Sequence, residues 1–203
     1  MPNRRRARRS PADPRQGLIA AALELAATKG WQQTSMAEIA AAAGVPLGQA
    51  YALFPSKFAI LRGFRRSIDE AVLAQRAPAS EESPRDRLFD VLMRRFELLK
   101  PYRLGLRAIL RDAVGGPALM RGLPGLVRSM AWMREAAGLP AWGCRGRLAS
   151  RFTAALYLSV MPVFLRDESA DLGTTMAALD RRLRQAETLL GSFRPLAARA
   201  AKP

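Results

Sequence analysis

Among side chains able to do chemistry, the usual catalytic ones are scarce. The 203 residues include no histidine and one cysteine, Cys144, which excludes imidazole acid–base catalysis, a Cys/His zinc site and an internal disulfide. The 17 acidic residues form no cluster of catalytic spacing, so no enzyme activity, metal or cofactor is expected. What the chain does carry is a set of donors suited to phosphates and base edges. Arg4, Arg5, Arg6, Arg8 and Arg9 crowd into RRRARR ahead of Pro11 and Pro14, and Ser35, Gln49, Tyr51 and Lys57 follow within a short span. A formal charge of +16 points the same way, because Lys and Arg release condensed counterions on binding a polyanion. The chain is arginine-rich throughout, so charge alone does not locate the contact.

Each candidate has a specific task and a plainer alternative. Ser35 would hold a phosphate at a helix start, where free backbone donors already favour an anion, or serve only as a cap. Gln49 can pair in bidentate fashion with an adenine edge. Tyr51 can donate to a phosphate or pack under its helix; Lys57 can neutralise a phosphate or stay solvated. The arginine run repels itself and reads as a disordered basic arm over residues 1–14. It is either a solubilising tail or an arm that touches DNA backbone or minor groove.

The elements that must position these residues read as helical, and nothing alternates long enough to argue a sheet. Leu18, Ile19, Ala22, Leu23 and Ala26 form one stripe that ends at Gly30. Ser35 followed by Glu38 has capping-box spacing and opens a short second helix, which stops at Gly44. A third begins near Pro46 and ends where Phe54 meets Pro55, since a residue before proline avoids the helical region. Ser56 then caps a fourth. Two short helices joined by a glycine turn, after a longer supporting helix, have the geometry that lays the last one in the major groove.

Residues 15–62 resemble the DNA-binding domain of TetR-type repressors. The resemblance rests on the alanine-rich first helix, G-W-x-x-T-S-M-x-E-I-A at residues 30–40, A-G-V at 43–45 and G-x-x-Y-x-x-F-P-S-K at 48–57. It implies that Ser35, Gly48, Gln49, Tyr51 and Lys57 meet double-stranded DNA at a palindromic operator, with Arg4, Arg5 and Arg6 of the arm beside them. The chain departs from the family where polar readers are usual, offering Pro46, Leu47, Ala52 and Leu53. Base readout is thinned to Gln49 and apolar contacts with thymine methyls, leaving affinity to backbone contacts and the arm.

Residues 63–195 read as a helical regulatory and dimerisation domain, followed by a short tail at 196–203. Apolar stripes at 88–99, 104–114 and 119–137, the last interrupted by Pro124, name no ligand. Leu172, Met176, Leu179, Leu183, Ala186, Leu190 and Phe193 step by four and three, a coiled-coil-like seam that wants a partner helix. Packing within the chain satisfies that spacing, as does a homodimer interface built with residues 147–166, which is also the family's arrangement. Pro162 should kink the helix that holds it. With Trp132, Phe152, Tyr157 and Phe164 nearby in pattern, the space is either a cavity for a hydrophobic effector or a filled core.

A second resemblance covers residues 132–189. A-A-G at 136–138, D-E-S-A-D at 167–171 and T-M-A-A-L-D-R-R-L at 175–183 are similar to the lipid-binding accessory proteins of ubiquinone biosynthesis. The expectation is therefore an all-α protein: a three-helix helix-turn-helix domain followed by a helical ligand-binding and dimerisation domain. The first reading of function is a ligand-responsive repressor acting as a homodimer; the alternative is a lipid- or quinone-binding accessory protein with a vestigial helix-turn-helix. The longest apolar run, residues 152–165, is too short to span a bilayer, and no apolar stretch follows the first arginines, so a cytoplasmic protein is expected.

Overall fold

The computed structural model describes residues 13–75, 77–79, 81–113 and 117–199, without the side chains of 117–120 and 189–199. All regular structure among them is helical: α1 (Pro14–Lys29), α2 (Met36–Ala43), α3 (Leu47–Leu53), α4 (Lys57–Leu73), α5 (Pro84–Leu99), a 3₁₀ turn at Lys100–Tyr102, α6 (Arg103–Ala113), α7 (Pro117–Ala136), α8 (Gly143–Phe164) and α9 (Gly173–Arg199). The all-α expectation holds. Pro124 lies inside α7 and does not end it. Two compact units form, one from residues up to 67 together with 101–122, the other from 68–100 together with 123 onward.

In the first unit α1 is the central rod. Asp13 caps it by accepting the Arg15 N–H at 2.9 Å, Pro14 supplies the preset first turn, and Gly30 closes it at φ +93. Because α2 and α6 both pack on it, α1 buries residues on more than one side, and small ones dominate: Ala21, Ala22 and Ala26 accompany Leu18, Ile19 and Leu23. The tightest contact is with α6, placed by sequence in the regulatory domain. A Cβ built on Gly105 of α6 would stand 2.5 Å from the Leu23 carbonyl oxygen.

In the second unit α9 packs on α8 and α5 around an aromatic core. Phe96 stacks on Tyr157 at 4.7 Å and meets Phe164 at 5.0 Å, all three buried. Arg95 is buried beside them, paired with Asp69, which also accepts the Ser129 hydroxyl at 2.7 Å. The D-E-S-A-D segment builds the start of α9. The Asp167 carboxylate accepts the Thr175 N–H and hydroxyl, each at 2.7 Å, and the Ser169 N–H at 3.1 Å. Burial works against its charge, yet these donors hold it down to about 2. Leu172, buried and left-handed at φ +58, offers its carbonyl to the Met176 N–H at 2.8 Å.

Replacing an exposed helical glycine by alanine normally stabilises by about 1 kcal/mol. Gly105→Ala should do the reverse and cost about 1–3 kcal/mol, because backbone rather than a flexible side chain stands in the way; denaturant unfolding of the variant checks this.

Candidate nucleic-acid interface

The turn between α2 and α3 follows directly from its residues. Ser35 and Glu38 form a complete capping box, with Ser35 Oγ accepting the Glu38 N–H at 3.2 Å and Glu38 accepting the Ser35 N–H at 2.8 Å. Gly44 ends α2 in the left-handed region at φ +68, and the Val45 N–H reaches back to the Ala40 carbonyl at 2.9 Å. Pro46, extended, starts α3 with no side-chain cap. One side of α3 is anchored by Ala50, which is fully buried. The other presents Leu47, Gly48, Gln49, Tyr51 and Ala52, with Leu47 53% and Tyr51 67% exposed. Of the sequence candidates, the structure thus brings Gly48, Gln49 and Tyr51 to one open face.

Ser35 and Lys57 have other work. The single proton of the Ser35 hydroxyl goes to Glu38 at 2.7 Å, which leaves Ser35 no donor for a phosphate in this arrangement. Glu38 itself is held to about 2, foremost by its bond to Lys29 and then by Ser35. Lys57 donates to the Trp31 carbonyl and to the Thr34 carbonyl, both at 2.7 Å, with its ammonium 4.8 Å from the centre of the Trp31 ring. Partial burial lowers its affinity for the proton, and the nearby Asp112 carboxylate opposes that. From below, Asp112 accepts the Trp31 N–H at 3.0 Å and the Gln32 N–H at 3.1 Å, while the Gln32 amide donates to the Asp112 carbonyl at 3.2 Å. Sequence reasoning missed Asp112 and Trp31. Asp112 stands 80 residues from Gln32, and no local spacing announces such a partner.

The remaining candidates separate. Arg4, Arg5 and Arg6 lie outside the described residues, as does the Leu190 side chain. Tyr157 and Phe164 do come together, but with Phe96 as filled core; Trp132 and Phe152 are 46% and 45% exposed, and Trp132 stands edge-on to Trp142 at 5.8 Å. The four are therefore not one cavity lining. Pro162 sits in the last turn of α8, and the helix continues past it to Phe164. Along the seam of α9, Leu172, Leu179 and Leu183 are buried within the chain, and among the described seam residues Met176 is exposed. Their apolar spacing is satisfied by α8 and α5.

Residues 18–63 match the family model described as bacterial regulatory proteins, tetR family. Among solved structures, the chain is similar to a TetR transcriptional regulator from Nitrosomonas europaea, with 23% identity and a TM-score of 0.70 over 86% of this chain and 98% of that one. It is also similar to one from Rhodococcus sp., with 25% identity and a TM-score of 0.62 over 85% and 94%. NalD of Pseudomonas aeruginosa, the secondary repressor of the MexAB-OprM multidrug efflux pump, shares the fold at 22% identity and a TM-score of 0.51 over 84% and 94%. No curated protein matches the chain. The tetR-family model thus accounts for residues 18–63, and the chain shares the all-α fold of these solved regulators. No described helix is long and apolar enough to cross a membrane.

Lys57→Ala should lower the melting temperature, at a cost of about 1–3 kcal/mol, because the Thr34 carbonyl loses its Lys57 donor and the Trp31 carbonyl keeps only the Thr34 N–H at 3.3 Å. Were Lys57 only a phosphate contact, thermal unfolding in the absence of DNA would not change.

Proposed function

We propose that the protein is a repressor that binds a palindromic operator as a homodimer and is released by a hydrophobic effector. The observation that carries this is the open face of α3, with Gln49 and Tyr51 presented outward on a helix anchored by Ala50. Repression is the sign that asks least of the chain, since a protein occupying the major groove blocks transcription with no further contact. Phosphate affinity must come from outside the helix pair, because residues 36–53 contain neither lysine nor arginine. The arginine arm is the proposed source.

The dimer is proposed on the groove between α8 and α9, turned away from the buried seam. It is lined by Ser159, Val163, Ala178, Arg181 and Gln185, small and mixed side chains over which a second pair of helices can pack. The effector is proposed for the second unit; because the Phe96, Tyr157 and Phe164 core is filled, an apolar molecule must displace one of these rings to enter.

The purified protein should enrich DNA from its own promoter region over random genomic fragments. Gln49→Ala should weaken binding to the enriched site by about 1–3 kcal/mol while leaving random DNA nearly unaffected, because only a base-edge contact discriminates sequence; an unchanged ratio would remove Gln49 as a reader. For the dimer, Val163→Arg combined with Ala178→Arg should yield monomers in sedimentation at micromolar concentration, and a wild type already monomeric there would refute the interface.

A further inference from the structure

The residues that α3 turns outward define which base pairs it can read. Leu47 and Tyr51 form one row along its exposed side and Gly48 and Ala52 the next, with Gln49 at the flank. A methyl group added at Gly48 would meet no atom within 4 Å, so the space over the middle of the face is open. Between Glu38 and Lys57 there is no charged side chain, and Glu38 is already engaged by Ser35 and Lys29.

Each base edge in the major groove asks for a particular partner. Guanine, with two acceptors, is read by Arg or Lys; cytosine, with its amino group, by Asp or Glu; adenine by Asn or Gln; and the thymine methyl by an apolar contact. The α3 face supplies only the last two kinds. We infer that the protein reads A·T pairs at the centre of each half-site, with Gln49 on an adenine and Leu47 and Ala52 against thymine 5-methyl groups. This rests on the DNA-binding reading above and names its sequence class. It also accounts for a leucine that is 53% exposed one turn before the exposed Tyr51. Against the methyl of a thymine, the side chain leaves water that it faces in the free protein.

The test uses the full-length protein. It first selects sites from a randomised duplex library at low salt. The selected half-site is then remade with each thymine replaced in turn by deoxyuridine, which removes the 5-methyl and nothing else. The expected result is A·T pairs at the centre and, at one or two of the uracil positions, binding about fourfold weaker, the effect of burying one methyl-sized group. Leu47→Ala should erase the uracil effect at the position Leu47 covers, with unchanged melting temperature. A selected core of G·C pairs, or uracil duplexes that bind as tightly as thymine ones, overturns the methyl readout and leaves DNA binding intact. Failure to select any site overturns both together.

Discussion

The first unit depends on how the backbone between α1 and α2 is satisfied. That turn has carbonyls at Trp31 and Thr34 and N–H groups at Trp31 and Gln32 that no helix ladder can pair. Lys57 takes the two carbonyls and Asp112 the two N–H groups, while Thr34 bonds the Gly30 carbonyl at 2.8 Å. An ammonium with several donors and a carboxylate with several acceptors are the side chains best able to close such a turn from opposite sides. With the turn closed, the Ser35 capping box can start α2 in one direction only, and the Gly44 bend and Ala50 anchor then set the outward rows of α3.

This arrangement has a consequence for recognition. The cations and hydroxyls that the family resemblance assigns to phosphate are largely committed to holding the domain together, Lys57 through the turn and Ser35 through its cap. Position and reading are thereby divided between different residues. The α3 face carries one amide, one phenol and no charged side chain, so under the proposed DNA-binding role attraction to the polyanion falls to arginines elsewhere in a chain whose net charge is +16.

The second unit shows the same economy with apolar groups. The four-and-three spacing in α9 is spent on α8 and α5 of the same chain, and Tyr157 and Phe164 of α8 fill the core against Phe96. What stays exposed, at Trp132, Trp142, Leu148 and Phe152, lies on surfaces that the internal seam does not use. The D-E-S-A-D segment, whose pattern suggested a lipid-binding protein, is a polar cap that satisfies the first turn of α9, a role that asks for no lipid.

Much of the fold is legible in the sequence, because helix boundaries are set by short-range chemistry. Ser35 with Glu38, Gly44, Pro46, Pro55 and Ser56 each act on their own or the next turn, so α1 to α4 fall close to where the residues put them. That Gln49 and Tyr51 share an exposed side of α3 is legible too, because their spacing from Gly48 is a local fact. Partners distant in the chain were not. A heptad seam states that a partner helix is needed without saying in which chain it lies, and a lysine after a helix-turn-helix looks the same whether its ammonium faces solvent or two carbonyls. Asp112 meeting Trp31, Gly105 meeting the Leu23 carbonyl, and the burial of Leu179 and Leu183 were decided only when the helices packed. Hydrogen bonding and exclusion of water depend on distance in space, and sequence spacing encodes that distance only within a turn or two of helix.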